Sequence, residues 1–161
     1  LFLGSYNLKI KYTSMKFLKV KEVKSPNRGT PQSAGIDLFV PESFTAVVLE
    51  PGESVLIPSG LKVNVPEGFA LICENKSGIA TKKSLVVGAC IIDEDYQGEI
   101  HIHLINAGTQ DQSIFPGDKI IQVLLVPVAY AEVEIVTTEE ELWDGKITER
   151  GEGGFGSTGT K

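Results

Sequence analysis

Cysteine is scarce in this chain: Cys73 and Cys90 are the only two in 161 residues, and no CxxC spacing joins them. That excludes a disulfide-built scaffold and reads as buried free thiols in a reducing compartment. No apolar run is long enough to cross a membrane as a helix, and Leu1–Leu3 is too short for the apolar centre of a secretory signal. The expected location is therefore cytoplasmic, with a nuclear or host-cell compartment as the alternative. Basic residues are outnumbered, 15 Lys and Arg against 21 Asp and Glu, for a net charge of −6. Unspecific nucleic-acid binding neutralises many phosphates with Lys and Arg, so this balance argues against it. A small anionic substrate stays open, because only the field inside its pocket matters. Histidine is limited to His101 and His103. They share a strand face, but no third ligand stands nearby, so a metal centre is not the reading.

What is present suits a globular fold. The length favours one compact domain, and such a chain buries roughly 70% of its unfolded surface without help from a disulfide or metal. Residues 1–14 precede Met15 and look unrelated to the rest of the chain, so they are read as a leader or appended extension. Residues 15–148 are then a β domain, and 149–161 a flexible glycine-rich arm.

Turn signals recur closely at Pro51-Gly52, Pro58-Ser59-Gly60, Pro66-Glu67-Gly68, Pro116-Gly117 and Asp144-Gly145. Between them Leu61–Val65 alternates apolar with polar, and Glu99–Leu104 places Ile100, Ile102 and Leu104 on one face. Ile120–Val128 is apolar except for Gln122, which predicts a strand covered on both faces, inside a sandwich or at a subunit interface. Only Ser77–Lys83 reads as helical, with Ser77 as its cap. The sum is an all-β sandwich or jelly roll without internal repeats.

Several segments carry chemistry. Asp37 is a lone carboxylate in the apolar stretch Ala34–Leu38, so it needs a cation partner or a nearby metal. Asn75-Lys76-Ser77-Gly78 offers a cation, a hydroxyl and free amides at a helix start, which suits an anion. Gln122 inside its strand needs a hydrogen-bond partner. Ile91–Gly98 reads as a hairpin; its ordinary reading is a solvated acidic turn, its functional one a carboxylate that deprotonates a water. Tyr96 there would give a flat face to a sugar or base. The tail from Arg150 to Lys161 nearly fits a phosphate-binding loop, but Ser157 stands where the lysine belongs and no helix follows. A P-loop is rejected; what remains is closely spaced glycine amides, Ser157, Thr158, the cation Arg150 and the ring of Phe155.

In order, these segments resemble the five motifs of the trimeric dUTPase family. Ala34–Leu38 is similar to the first, Lys76-Ser77-Gly78 to the second and Cys90–Gly98 to the third. Gly117–Gln122 is similar to the fourth and Glu149–Gly159 to the fifth. The resemblance spans about Ala34 to Gly159. It implies a jelly-roll-like subunit of the β-clip kind, a homotrimer with active sites between subunits, and hydrolysis of dUTP to dUMP and pyrophosphate. That activity would keep uracil out of DNA and supply dUMP for dTMP synthesis. By the same resemblance Asp93 would be the general base whose water attacks the α-phosphorus, and Lys76, Ser77, Gly78 and Gln122 would meet the phosphates. Tyr96 would pack on the deoxyribose, and backbone around Gly88–Ile91, in the hairpin leading into the third motif, would read uracil. The arm would close with Phe155 on uracil and with Arg150, Gly156, Ser157 and Thr158 near the phosphates. Mg²⁺ would be held mainly by the triphosphate and water, with no direct protein ligand. Two positions depart from the family pattern: Lys76 stands where arginine is usual and Cys90 where glycine is usual. The first replaces a bidentate fork with a point charge; the second sets a thiol beside the base-reading backbone.

The rival enzyme is a dCTP deaminase, related in fold, which would release ammonia; Asp93, Tyr96 and the Phe155 tail fit the hydrolase better. A nucleotide-sensing interaction protein, its tail ordered by dUTP, would bind without turnover. A purely structural sandwich would do neither.

Overall fold

A computed structural model of the chain describes residues 14–154. The chain divides into two units, Leu1–Ala129 and Tyr130–Lys161. In the first, the elements run β1 (Lys16–Lys19), β2 (Ile36–Phe39), β3 (Val47–Leu49), β4 (Ser54–Pro58), β5 (Leu61–Asn64), β6 (Phe69–Asn75), α1 (Ser77–Lys83), β7 (Leu85–Val87), β8 (Ile91–Ile92), β9 (His101–Asn106), β10 (Gln112–Ile114) and β11 (Lys119–Pro127). One sheet has the order β2-β11-β6-β8 and another β4-β9-β7, with β1-β5 and β10-β3 as two-stranded pairs. Every pairing is antiparallel. This is an all-β, jelly-roll-like sandwich.

The alternating strands behave as their sequences dictate. Leu61, Val63 and Val65 are buried while Lys62 and Asn64 face out. Ile100, Ile102 and Leu104 are each about 1% exposed, and they join Leu38, Ile57, Leu71, Ile114 and Ile121 in one core. The glycines of all five turn signals sit at φ between 67° and 84°, a region that costs other L-residues energy. Asn106 is wholly buried yet fully bonded: its side-chain amide donates to Leu49 O (2.9 Å) and Gln110 O (2.8 Å), and its carbonyl oxygen accepts from Gly108 N–H (3.0 Å).

Four expectations change. The residue capping α1 is Lys76, with extended backbone, and Ser77 is the first helical residue. A second helix, α2 (Glu139–Trp143), lies in the second unit, where Thr138 Oγ1 accepts the Glu141 N–H. That N-cap bond starts a helix too short to show periodicity. Burial on both faces holds only for the first half of β11: Ile120, Ile121 and Val123 are buried, whereas Val126 and Val128 are each 37% exposed. β2 flanks β11 only from Lys119 to Val123, while β6 pairs it onward to Pro127. The thiols also differ: Cys73 is buried but Cys90 only half-buried, and both are free.

Candidate active site

The β2-β11-β6 sheet gathers three separated segments at one end. Gln122 lies opposite Asp37 on one side and opposite Glu74 on the other. Asp37, 3% exposed, has the cation partners its burial demanded. Lys76 Nζ donates to Oδ1, and Lys119 Nζ is 3.1 Å from Oδ2. Burial by itself would raise the Asp37 pKa, but the hydrogen bonds and charges of Lys76 and Lys119 outweigh it and hold the carboxyl below its ordinary value. The carboxylate is thus committed to two ammonium groups.

Gln122 also finds its partner: Nε2 donates to Asn75 O at 2.9 Å. Gly35 makes room for it, since a Cβ there would lie 2.2 Å from Gln122 Oε1. Beyond Asn75, the Lys76 carbonyl accepts from Ile79 and Ala80 N–H, each at 2.9 Å. The N–H groups of exposed Ser77 and Gly78, one turn earlier, have no acceptor among the described residues, as first-turn amides do not.

Asp93 is elsewhere. β8 pairs with the opposite half of β6, Ile92 against Leu71 and Ile91 against Ile72, so Asp93 continues the register opposite Ala70. From Ala70 to Asn75 is five residues, or roughly 17 Å of strand at 3.4 Å each. Asp93 is exposed, and its carboxylate makes no hydrogen bond or ion pair among the described residues. The turn around it is held by others. Glu94 Oε2 accepts from Gly68 N–H at 2.5 Å, Tyr96 N–H donates to Asp93 O, and the Tyr96 hydroxyl donates to Glu99 O at 2.9 Å. The Tyr96 ring lies over Gly98, where a Cβ would fall 2.2 Å from its oxygen. It is 43% exposed.

Residues 88–90 do not form a hairpin closed by its own ladder. β7 pairs with β9 and β8 with β6, so the segment crosses from one sheet to the other. Gly88 N–H donates to His103 O at 2.9 Å, Ala89 N–H donates to His103 Nδ1 at 3.1 Å, and the Cys90 carbonyl accepts from Cys73 N–H at 2.6 Å. Ile91 is 65% exposed. Among the described residues no three His, Cys, Asp or Glu side chains cluster as a metal site. In the second unit, Arg150 Nε donates to Gly153 O at 2.8 Å. Phe155, Gly156, Ser157 and Thr158 lie outside the described residues.

Sequence reasoning missed Lys119 as the second partner of Asp37 and Asn75 O as the acceptor for Gln122. Strand pairing creates both contacts, and nothing local announces them.

The dUTPase family model matches residues 21–159. A deoxyuridine 5'-triphosphate nucleotidohydrolase of Mus musculus is 35% identical over 147 residues, covering 91% of this chain and 85% of the mouse protein. A Staphylococcus bacteriophage 80alpha dUTPase solved with dUpNHpp has a TM-score of 0.79 and 26% identity, covering 91% of this chain and 99% of that one. The D95N dUTPase of S. aureus phage phi11, solved to reveal the coordination of a structural Mg(II) ion, has a TM-score of 0.70 and 26% identity, covering 80% and 99%.

Proposed function

The chain belongs to the dUTPase family and hydrolyses dUTP to dUMP and pyrophosphate, and we propose that it does so as a homotrimer whose active sites are shared between subunits. The observation that carries the shared site is the separation along β6. The roughly 17 Å between the position of Asp93 and the Asn75 end of the strand exceeds what one triphosphate can bridge. A subunit's Asp93 therefore serves a phosphate-binding cluster of another subunit. Val126 near the end of β11 and Val128 just beyond it, each 37% exposed, supply apolar surface suited to such an assembly.

In this arrangement Asp93 is the general base. Its exposed carboxylate, unpartnered among the described residues, is free to hold a water and take its proton as that water attacks the α-phosphorus. Ser77, Gly78 and Gln122 bind the phosphates, Ser77 through its hydroxyl and, like Gly78, through an open first-turn amide. Lys76 acts from the same cluster, its ammonium oriented by Asp37 and acting as a point charge where an arginine would give a fork. The Tyr96 ring, fixed at its hydroxyl, packs on the deoxyribose where a 2′-hydroxyl would clash. Backbone from Gly88 to Ile91 reads uracil. The arm closes the site, with Phe155 on the base and Arg150, Gly156, Ser157 and Thr158 at the phosphates, excluding bulk water.

Mg²⁺ fits this donor set as a companion of the substrate. Asp37 has both carboxylate oxygens engaged by ammonium groups, so Mg²⁺ would be held by the triphosphate and water rather than by this carboxylate. When bound, it offsets phosphate charge that the acidic chain cannot offset alone.

Pyrophosphate release from dUTP, UTP, dTTP and dCTP with Mg²⁺, wild type beside Asp93→Asn, tests the reading. Release from dUTP alone, lost in Asp93→Asn, is expected. Equal turnover of UTP would contradict the sugar role of Tyr96, and an active Asp93→Asn would contradict the base assignment.

A further inference from the structure

The proposed base-recognition segment is held by a residue outside the five motifs. The β7–β9 register, Val87 against Leu104 and Val86 against Ile105, places Gly88 directly opposite His103. The two backbones bond there, Gly88 N–H to His103 O at 2.9 Å, so in an antiparallel ladder their side-chain directions share a face. Gly88 has no side chain, and the imidazole of His103 folds into that space. A Cβ at Gly88 would lie 2.1 Å from Nδ1 and 2.6 Å from Cε1. An aromatic ring covering a cross-strand glycine compensates for the missing side chain. This ring does more: Nδ1 accepts the Ala89 N–H at 3.1 Å. In this bond Nδ1 is the acceptor, which assigns the ring N–H to Nε2.

Ala89 is the residue at which the chain has left β9 and not yet reached β6. The far end of the crossover is fixed by Cys73 N–H on the Cys90 carbonyl. Between these points, the ring nitrogen of His103 is the one side-chain acceptor that a described residue offers to the segment. It fixes the peptide plane between Gly88 and Ala89, and with it the direction of the Gly88 carbonyl.

We propose that His103 is a positioning residue for base recognition: its imidazole clamps the Gly88–Ala89 peptide and thereby sets the backbone groups of residues 88–91 that face the base. This rests on the reading that those residues carry uracil. His103 touches no substrate; it acts through the backbone it holds.

The Nδ1 position can be occupied by the Oδ1 of asparagine, which also accepts, but not by leucine, which only fills space. His103→Leu is expected to raise the KM for dUTP about tenfold with kcat within about twofold, and to lower the dUTP to dCTP preference. His103→Asn restores most of the affinity. Gly88→Ala, which leaves the imidazole intact but drives it off the peptide, raises KM similarly, and costs less in a His103→Leu background than in the wild type. This pair keeps the test alive if one variant folds poorly, and thermal unfolding of each variant is followed alongside. An unchanged KM in His103→Leu overturns the proposal. So does an equal loss in the Leu and Asn variants that tracks their melting temperatures, which would mark a structural role only. Amide resonances of Gly88–Ile91, followed on addition of dUMP to the wild type, test the underlying reading separately. If they do not move, the base-reading assignment falls and the proposal with it. If they move while His103→Leu keeps its KM, only the role of His103 falls.

Discussion

The two ends of β6 handle charge in opposite ways. At the Asn75 end the buried charge is paired: Asp37 bridges Lys76 and Lys119, and beside it Gln122 is tied to Asn75 O. Past Ala70 the acidic turn exposes Asp93 without a partner among the described residues, while Glu94 and Tyr96 carry the bonds that hold the turn. A charge that must stay fixed is paired within the chain, because a buried unpaired carboxylate is costly. On the proposed mechanism, the charge that acts on water is left in solvent, on a turn that its neighbours keep in shape. The first end should govern stability and substrate positioning, and the second the chemical step.

The sharpest separation comes from Asp93→Asn. It should lower kcat by about 10²–10⁴-fold and leave the melting temperature unchanged, since no contact is lost; a large drop in stability would erase the contrast. Asp37→Asn should do the reverse in kind. It leaves two ammonium groups facing each other and should cost about 2 kcal/mol in chemical denaturation, below the full buried-pair penalty because both lysines reach solvent. The effect has a pH signature. The Asp37 pKa is lower in the folded chain than in the unfolded one, so its contribution is fully present above about pH 3.9 and is lost as pH falls through the folded value. The stability gap between wild type and Asp37→Asn should therefore narrow in melts below pH 4; a gap that widens there would contradict the pairing. Gly35→Ala pushes the Gln122 side chain aside and should cost about 1–2 kcal/mol of stability together with dUTP affinity, read by denaturation and KM. Tyr96→Phe is the mildest: it removes only the hydroxyl bond to Glu99 O, worth about 1 kcal/mol, and should raise KM slightly with kcat retained.

Local pattern made much of this legible. The core faces of Leu61–Val65 and Ile100–Leu104, the five glycine turns, and the need of Asp37 and Gln122 for partners all come from residue type and spacing. Which partners they find does not, because β2, β6 and β11 meet only after long stretches of chain. The same holds for Cys73 and Cys90, brought together across β6 and β8. It holds equally for the crossover at residues 88–90, which resembles a hairpin until its flanking strands choose different sheets. Lys76 as the cap of α1 was hidden because its extended backbone and carbonyl do the capping, with no side-chain bond to recognise. The ring of His103 over Gly88 is a cross-strand event, visible only once the register is set.

The most direct test of the shared site mixes two variants that are each inactive, Asp93→Asn and one crippled at the other end of β6, Ser77→Ala with Gln122→Ala. The two are unfolded together, refolded at equal amounts and assayed for pyrophosphate release from dUTP. If each site takes Asp93 from one subunit and the phosphate cluster from another, about a quarter of the sites in the random hybrids combine two intact halves. Roughly that fraction of wild-type activity should then return. Activity no higher than that of the separate variants would contradict the account and place both ends of β6 in the service of one subunit's own site.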